Sequence, residues 1–200
     1  MTAVFSIPKT KVFQLLWTGA EPPTRIRIEQ YIDSHPLTRS LRRNPQLIET
    51  RPHLDVFESN RSRNLLTGAL AGPEKISVAP FVFQNPGKSM IMLMHLGRDT
   101  CSHDGIIHGG LLATLLDECL TRCCCPAFEK KVAVTANLNI DYRSPAMVDS
   151  YFVVHANITE VAGRKAWVDG WMETLTDGSE STLVAQAKSL FIEPKQAAVC

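Results

Sequence analysis

No segment of this chain reaches the roughly 18 apolar residues that a membrane-spanning helix needs; the run Val12 to Trp17 is far shorter. Neither sign of charge is in excess, because 21 basic residues face 20 acidic ones for a net charge of +1. That balance removes the electrostatic footprint of a nucleic-acid binder or of a broad anionic-membrane surface, so any anion site must be local. Among the six cysteines at 101, 119, 123, 124, 125 and 200, Cys119 and Cys123 with His103 or His108 are conceivable zinc ligands, but paired C-x-x-C units and a second ligand cluster are missing, which disfavours a metal centre. Adjacent cysteines make a poor disulfide framework, so the thiols point to a reducing compartment and to packing as small apolar groups. The chain also lacks a G-x-S-x-G elbow, a glycine-rich loop ending in Gly-Lys-Ser/Thr and a G-x-G-x-x-G fingerprint. Covalent serine hydrolysis and nucleotide chemistry lose support accordingly.

What is present suits one domain with an extension, since 200 residues can bury a sizeable core. Residues 1–75 are interrupted by Pro8, Pro22, Pro23, Pro36, Pro45, Pro52 and Pro73. Short helices are expected near Arg25 to Ser34 and Pro36 to Arg43, packed on the domain or on a partner, with Arg39, Arg42 and Arg43 on a solvated face. The first twenty residues carry Lys9 and Lys11 and no acid, a hint of organelle import set against a cytoplasmic location. Residues 76–195 form the domain. Strands are expected at Val78 to Phe83 and Ser89 to Leu96, around the turn Asn85-Pro86-Gly87, and then near Val132 to Arg143, Ser150 to Val161, Arg164 to Leu175 and Ser181 to Glu193. In the first strand after the helix, Val132, Val134, Ala136, Leu138, Ile140 and Tyr142 alternate with Thr135, Asn137, Asn139, Asp141 and Arg143. Two strands, a long helix and four strands predict an α+β fold whose antiparallel sheet wraps the helix.

That helix, from about Gly110 to about Cys124, follows His108-Gly109-Gly110 and repeats Leu111, Leu112, Leu115, Leu116, Cys119, Leu120 and Cys123 at helical spacing. Its glycine-rich first turn leaves N–H groups unpaired at the positive end of the helix dipole, where a ligand oxygen can approach closely. His108 admits two readings, a capping residue or a member of that oxyanion site. Asp117 lies within a leucine-rich helix, where a carboxylate costs free energy unless it is paired or performs chemistry. It shares a polar stripe with Gly110, Thr114 and Thr121 but sits on roughly the opposite side from His108, so the two meet only if two such helices face each other. Glu118 points about 100° away and reads as a solvated rim residue. One buried acid and one donor turn fit water attack on a carbonyl through an oxyanion. Met90, Met92 and Met94 read as core or as the lining of an acyl tunnel.

HGGLLATLLDE, VAVTANLNIDYRSPA and VAGRKAWVDG together resemble the hotdog-fold acyl-CoA thioesterases of the phenylacetyl-CoA thioesterase type, over about Ser77 to Pro194. The resemblance implies a homodimer, often doubled into a homotetramer, with active sites at the subunit interface. It implies that the Gly109 N–H polarises the thioester carbonyl while His108 holds the turn. Asp117 of the facing subunit then activates water, with a covalent anhydride as the other route, and Thr135 helps hold that water. Ser102 stands where some members place an asparagine that also polarises the carbonyl. Gly110, Asn139, Asp141, Arg143, Gly163, Arg164 and Lys165 fall where the family binds substrate. Arg143, Arg164 and Lys165 suit phosphate through charge-assisted hydrogen bonds, and equally suit solvent as strand-end charges. Asp141 would repel phosphate and so orients Arg143 or contacts the adenosine. The donor is acyl-CoA or an acyl carrier protein. No cofactor is called for, because coenzyme A is part of the substrate. A non-catalytic thioester-binding or interaction protein on the same fold is the alternative, and a dehydratase or hydratase is a third reading.

Overall fold

The computed structural model describes residues 22–196 apart from Asp104 and Ser179. The basic stretch with Lys9 and Lys11, the run 12–17 and Cys200 lie outside the described residues. Chain order runs α1 (Pro22–Ser34), α2 (Pro36–Arg42), β1 (Ile48–Thr50), α3 (Glu58–Arg61), a π-helical turn (Leu65–Ala69), β2 (Phe81–Asn85) and β3 (Ser89–Leu96). A small hairpin, β4 (Cys101–His103) and β5 (Ile106–Ile107), precedes the long helix α4 (Gly109–Cys124). β6 (Val134–Tyr142), β7 (Ser150–Ala162), β8 (Lys165–Thr174) and β9 (Leu183–Ile192) complete the chain.

Seven strands form one antiparallel sheet in the order β1-β2-β3-β7-β8-β9-β6. The sheet packs around α4, the hotdog arrangement. Leu115, Leu116, Cys119, Leu120, Cys123 and Cys124 on α4 are fully buried against Met92, Met94, Phe152, Val154, Val168 and Met172. Each such leucine removed from water contributes about 2 kcal/mol. The sheet admits the helix so closely because Ala156, Gly170 and Ala187 sit side by side on β7, β8 and β9 beneath Leu120. Burial pushes the Cys119 thiol well up and Cys123 to about 12, so these cysteines stay protonated and pack as small apolar groups.

On its opposite face the sheet is covered by the extension over β2, β3 and β7, while the β9–β6 side stays exposed. Ile28, Ile32 and Leu41 of α1 and α2 form a second core with Phe81, Phe83, Leu93 and Val153. β1 joins the sheet at its edge, while Leu54 and Leu66 reach the helix-side core. Strands of two or three residues show no alternation, which is why β1, β4 and β5 escape a periodicity reading. Arg39, Arg42 and Arg43 are exposed, and the Arg42 guanidinium in addition bridges Asp33 and Glu49 at 2.7 Å each. Its place at the end of α2, next to the end of α1 and to β1, sets that role. Arg51 is more deeply fixed. It pairs with Glu29 at 2.7 Å, donates to the Ala79 carbonyl at 2.5 Å and lies 3.7 Å from the Phe81 ring centroid. Arg51→Ala strips this half-buried clamp and should destabilise the protein by about 2 kcal/mol, read as a lower urea midpoint.

Candidate active site

α4 begins where His108 takes extended backbone and its Nδ1 accepts the Gly110 N–H at 2.8 Å. The side chain thus acts as a cap, consuming one donor and leaving the N–H of Gly109, the first helical residue, without an intrahelical partner. Tyr142, at the end of β6, encloses this turn. Its hydroxyl donates to the Gly109 carbonyl at 2.9 Å, and its ring lies 3.5 Å from where a Cβ on Gly109 would stand. A larger residue at 109 would meet that ring. Alternation alone puts Tyr142 on the apolar face of its strand, and the only signal for its role is its position beside Asp141 and Arg143.

Eight residues further along α4, about 12 Å along its axis, Asp117 is half-buried, and its Oδ1 accepts from the Thr135 hydroxyl at 2.8 Å. Its other oxygen has no hydrogen-bond partner, and no cation pairs with it, among the described residues. A regular alternation would turn Thr135 away from the helix. A bulge in β6 between Thr135 and Asn137 corrects that reading: the extra residue, Ala136, places Thr135 on the helix side together with Leu138 and Ile140, while Val134 turns outward.

The remaining candidates divide between two ends of the sheet. Arg143 is held by Gln186 and Asp141 on the exposed face where Asn139 also lies. Gly163, in left-handed backbone with φ 58°, turns the chain between β7 and β8, and Arg164 there donates to the Glu193 carbonyl at 2.9 Å. Registers pair Tyr142 with Ala185 but Val134 and Lys165 with Ile192. A single chain therefore keeps Arg143 roughly 20 Å from Arg164 and Lys165, just as it keeps Gly109 apart from Asp117. Ser102 is exposed on β4, with its hydroxyl 3.2 Å from His103 Nδ1.

Glu118 departs from the solvated reading. Burial alone would raise its carboxyl, but the hydrogen bond from His53 and the adjacent Arg122 outweigh this and hold it at about 2. His53 belongs to the extension and is 1% exposed, so a contact from outside the sheet–helix unit grips the helix one residue past Asp117. Distance in sequence hides the pair, which is 65 residues apart. Because the folded value lies below the ordinary 4.5, this stabilisation is complete above about pH 4.5 and is lost as pH falls towards 2. The urea midpoint should drop over that interval, and Glu118→Gln should flatten the drop.

Residues 104–178 match the Thioesterase superfamily. The chain is 32% identical over 188 residues to a UPF0644 protein of Schizosaccharomyces pombe, covering 92% of this chain and 72% of that protein. A mitochondrial protein of Candida albicans is 35% identical over 167 residues, 78% of this chain and 74% of its own. The acyl-coenzyme A thioesterase THEM4 of Rattus norvegicus is 36% identical over 106 residues, 53% of this chain but only 44% of that protein. A solved thioesterase family protein from Silicibacter pomeroyi superposes with a TM-score of 0.53 at 14% identity, over 67% of this chain and 92% of that one, and so shares the fold.

Proposed function

This chain belongs to the thioesterase superfamily, and from that premise we propose that it hydrolyses acyl thioesters, with acyl-CoA as donor and acyl carrier protein as the other candidate. The observation that carries the reading is the Asp117 carboxylate, half-buried, fixed by one hydroxyl and otherwise unpaired. A structural carboxylate there would be neutralised by a cation, whereas a base must keep an oxygen free for water.

The parts meet across a two-fold axis. β6 is an edge strand with Val134 and Tyr142 each more than half exposed. Antiparallel pairing of β6 with a second copy about its middle sets the Thr135 end of one protomer against the Tyr142 end of the other. Asp117 then faces the partner subunit's Gly109, and the partner subunit's Arg143 approaches Arg164 and Lys165. Water gives its proton to Asp117 as its oxygen attacks the thioester carbonyl, and the oxyanion rests on the Gly109 N–H. Collapse re-forms the carbonyl and breaks the C–S bond. The proton on Asp117 passes to the departing sulfur, giving free acid and thiol. Arg143, Arg164 and Lys165 hold the coenzyme phosphates, Asp141 orients Arg143, and Asn139, Gly110, Gly163 and Ser102 line the path. No helix among the described residues is long and apolar enough to cross a membrane. The mitochondrial label of the Candida albicans relative supports placement in that organelle.

The test is thiol release from an acyl-CoA panel, acetyl to palmitoyl plus phenylacetyl, with sedimentation of the same sample. Turnover by a dimer or tetramer supports the reading. No turnover on any acyl-CoA or acyl carrier protein would leave the non-catalytic binding protein.

A further inference from the structure

At the far end of α4 from the glycine turn, a cavity of about 260 Å³ lies between the helix C-terminus and the β1–β2–β3 side of the sheet. Val82 and Met90 give it an apolar lining continuous with the helix-side core, and Thr50 and Pro52 of the extension wall it. Its charge is of one sign, since Arg122 and Lys131 line it and no carboxylate does. Arg122 commits its Nε to Glu118, while its two terminal nitrogens carry no hydrogen bond among the described residues. Lys131 has no carboxylate partner there either, and its backbone is held at φ 54°, a conformation that non-glycine residues rarely adopt outside functional or tightly constrained sites.

We propose that this cavity is a second ligand site, separate from the Asp117 site, for a carboxylate with a short apolar tail. The Arg122 fork presents parallel donors to a carboxylate and Lys131 adds a second charge, while Val82 and Met90 take the tail. Asp117 turns towards β6, whereas Gln84 on β2 donates to the Arg122 carbonyl at 3.1 Å, so the two sites occupy opposite flanks of one helix. Identifying the carboxylate with the acid released by hydrolysis rests on the thioesterase reading. The paired cations and the apolar lining do not.

Octanoate is the probe, titrated by calorimetry into the full chain carrying Asp117→Asn, with iodoacetamide alkylation of the cavity-lining Cys125 followed by mass spectrometry as the local readout. Saturable binding of one octanoate per chain is expected, with severalfold slower alkylation of Cys125 and at least tenfold weaker affinity in Arg122→Gln and Lys131→Gln. Octanol and inorganic phosphate, each carrying half of the chemistry, should bind more weakly. Lys131 is exposed, so its variant carries the test if Arg122→Gln does not fold. Absence of saturable binding, binding unchanged in Lys131→Gln, or binding that leaves Cys125 unprotected overturns the site. Thioester turnover is scored separately on the native chain, so either proposal can fail while the other stands.

Discussion

Asp117→Asn is expected to lower kcat for acyl-CoA hydrolysis by about two to four orders of magnitude, the usual worth of a positioned general base. The replacement keeps the shape of the side chain, and its amide oxygen still accepts from Thr135, which sits 2.8 Å from the present carboxylate. What it removes is the capacity to take a proton from water. KM and the urea midpoint should therefore change little, and the variant should remain the same oligomer as the native chain. A kcat equal to the native value would rule out Asp117 as base. A collapse in stability would instead give the residue a structural role.

Gly170→Val is expected to have the largest effect on folding. A Cβ at this position would lie 2.5 Å from Leu120 Cδ1 and 2.7 Å from the backbone carbonyl oxygen of His155. The leucine has some freedom to rotate, but the carbonyl belongs to the β7–β8 ladder and cannot retreat without breaking it. Overpacking of this kind costs about 3 kcal/mol, with the branched side chain adding a further clash. The helix would be lifted from Ala156 and Ala187 along with it. Thermal or urea unfolding should show the loss, and Gly170→Ala should show a smaller share of it. Unfolding parameters equal to those of the native chain would mean that the helix does not rest on this row.

Most of the fold was legible because its signals are local. The leucines of α4 recur at helical spacing, and Ser89–Leu96 and the first half of Ser150–Ala162 are apolar runs of strand length, so their positions follow from the chain itself. The candidate site rests on local signals of the same kind: a glycine turn and an acid inside a leucine-rich helix stand out from their neighbours. What escaped depends on contacts that no local pattern records. The bulge that turns Thr135 inward changes the phase of a strand without a glycine or proline to mark it. Tyr142 acquires its partner only when the end of β6 is laid over Gly109. Glu118 reads as a surface residue until His53, from the extension, reaches it. Arg42 likewise owes its two carboxylates to the end of α1 and to β1, which only the folded chain brings together.

The two borders of the sheet are unequal, and this bears on solubility. β1 offers three residues of backbone and is followed within two positions by Pro52, a poor template for an incoming strand. β6 offers nine. A molecule with two adhesive borders can string itself into fibrils, whereas one with a single adhesive border is used up once two copies have met. With copies pairing through β6 as proposed, the extension, by blunting the other border, also guards against runaway polymerisation. Removing residues 48–52 would expose the longer β2 in its place, and with copies pairing through β6 as proposed, sedimentation should show an open-ended association in place of a self-limiting one.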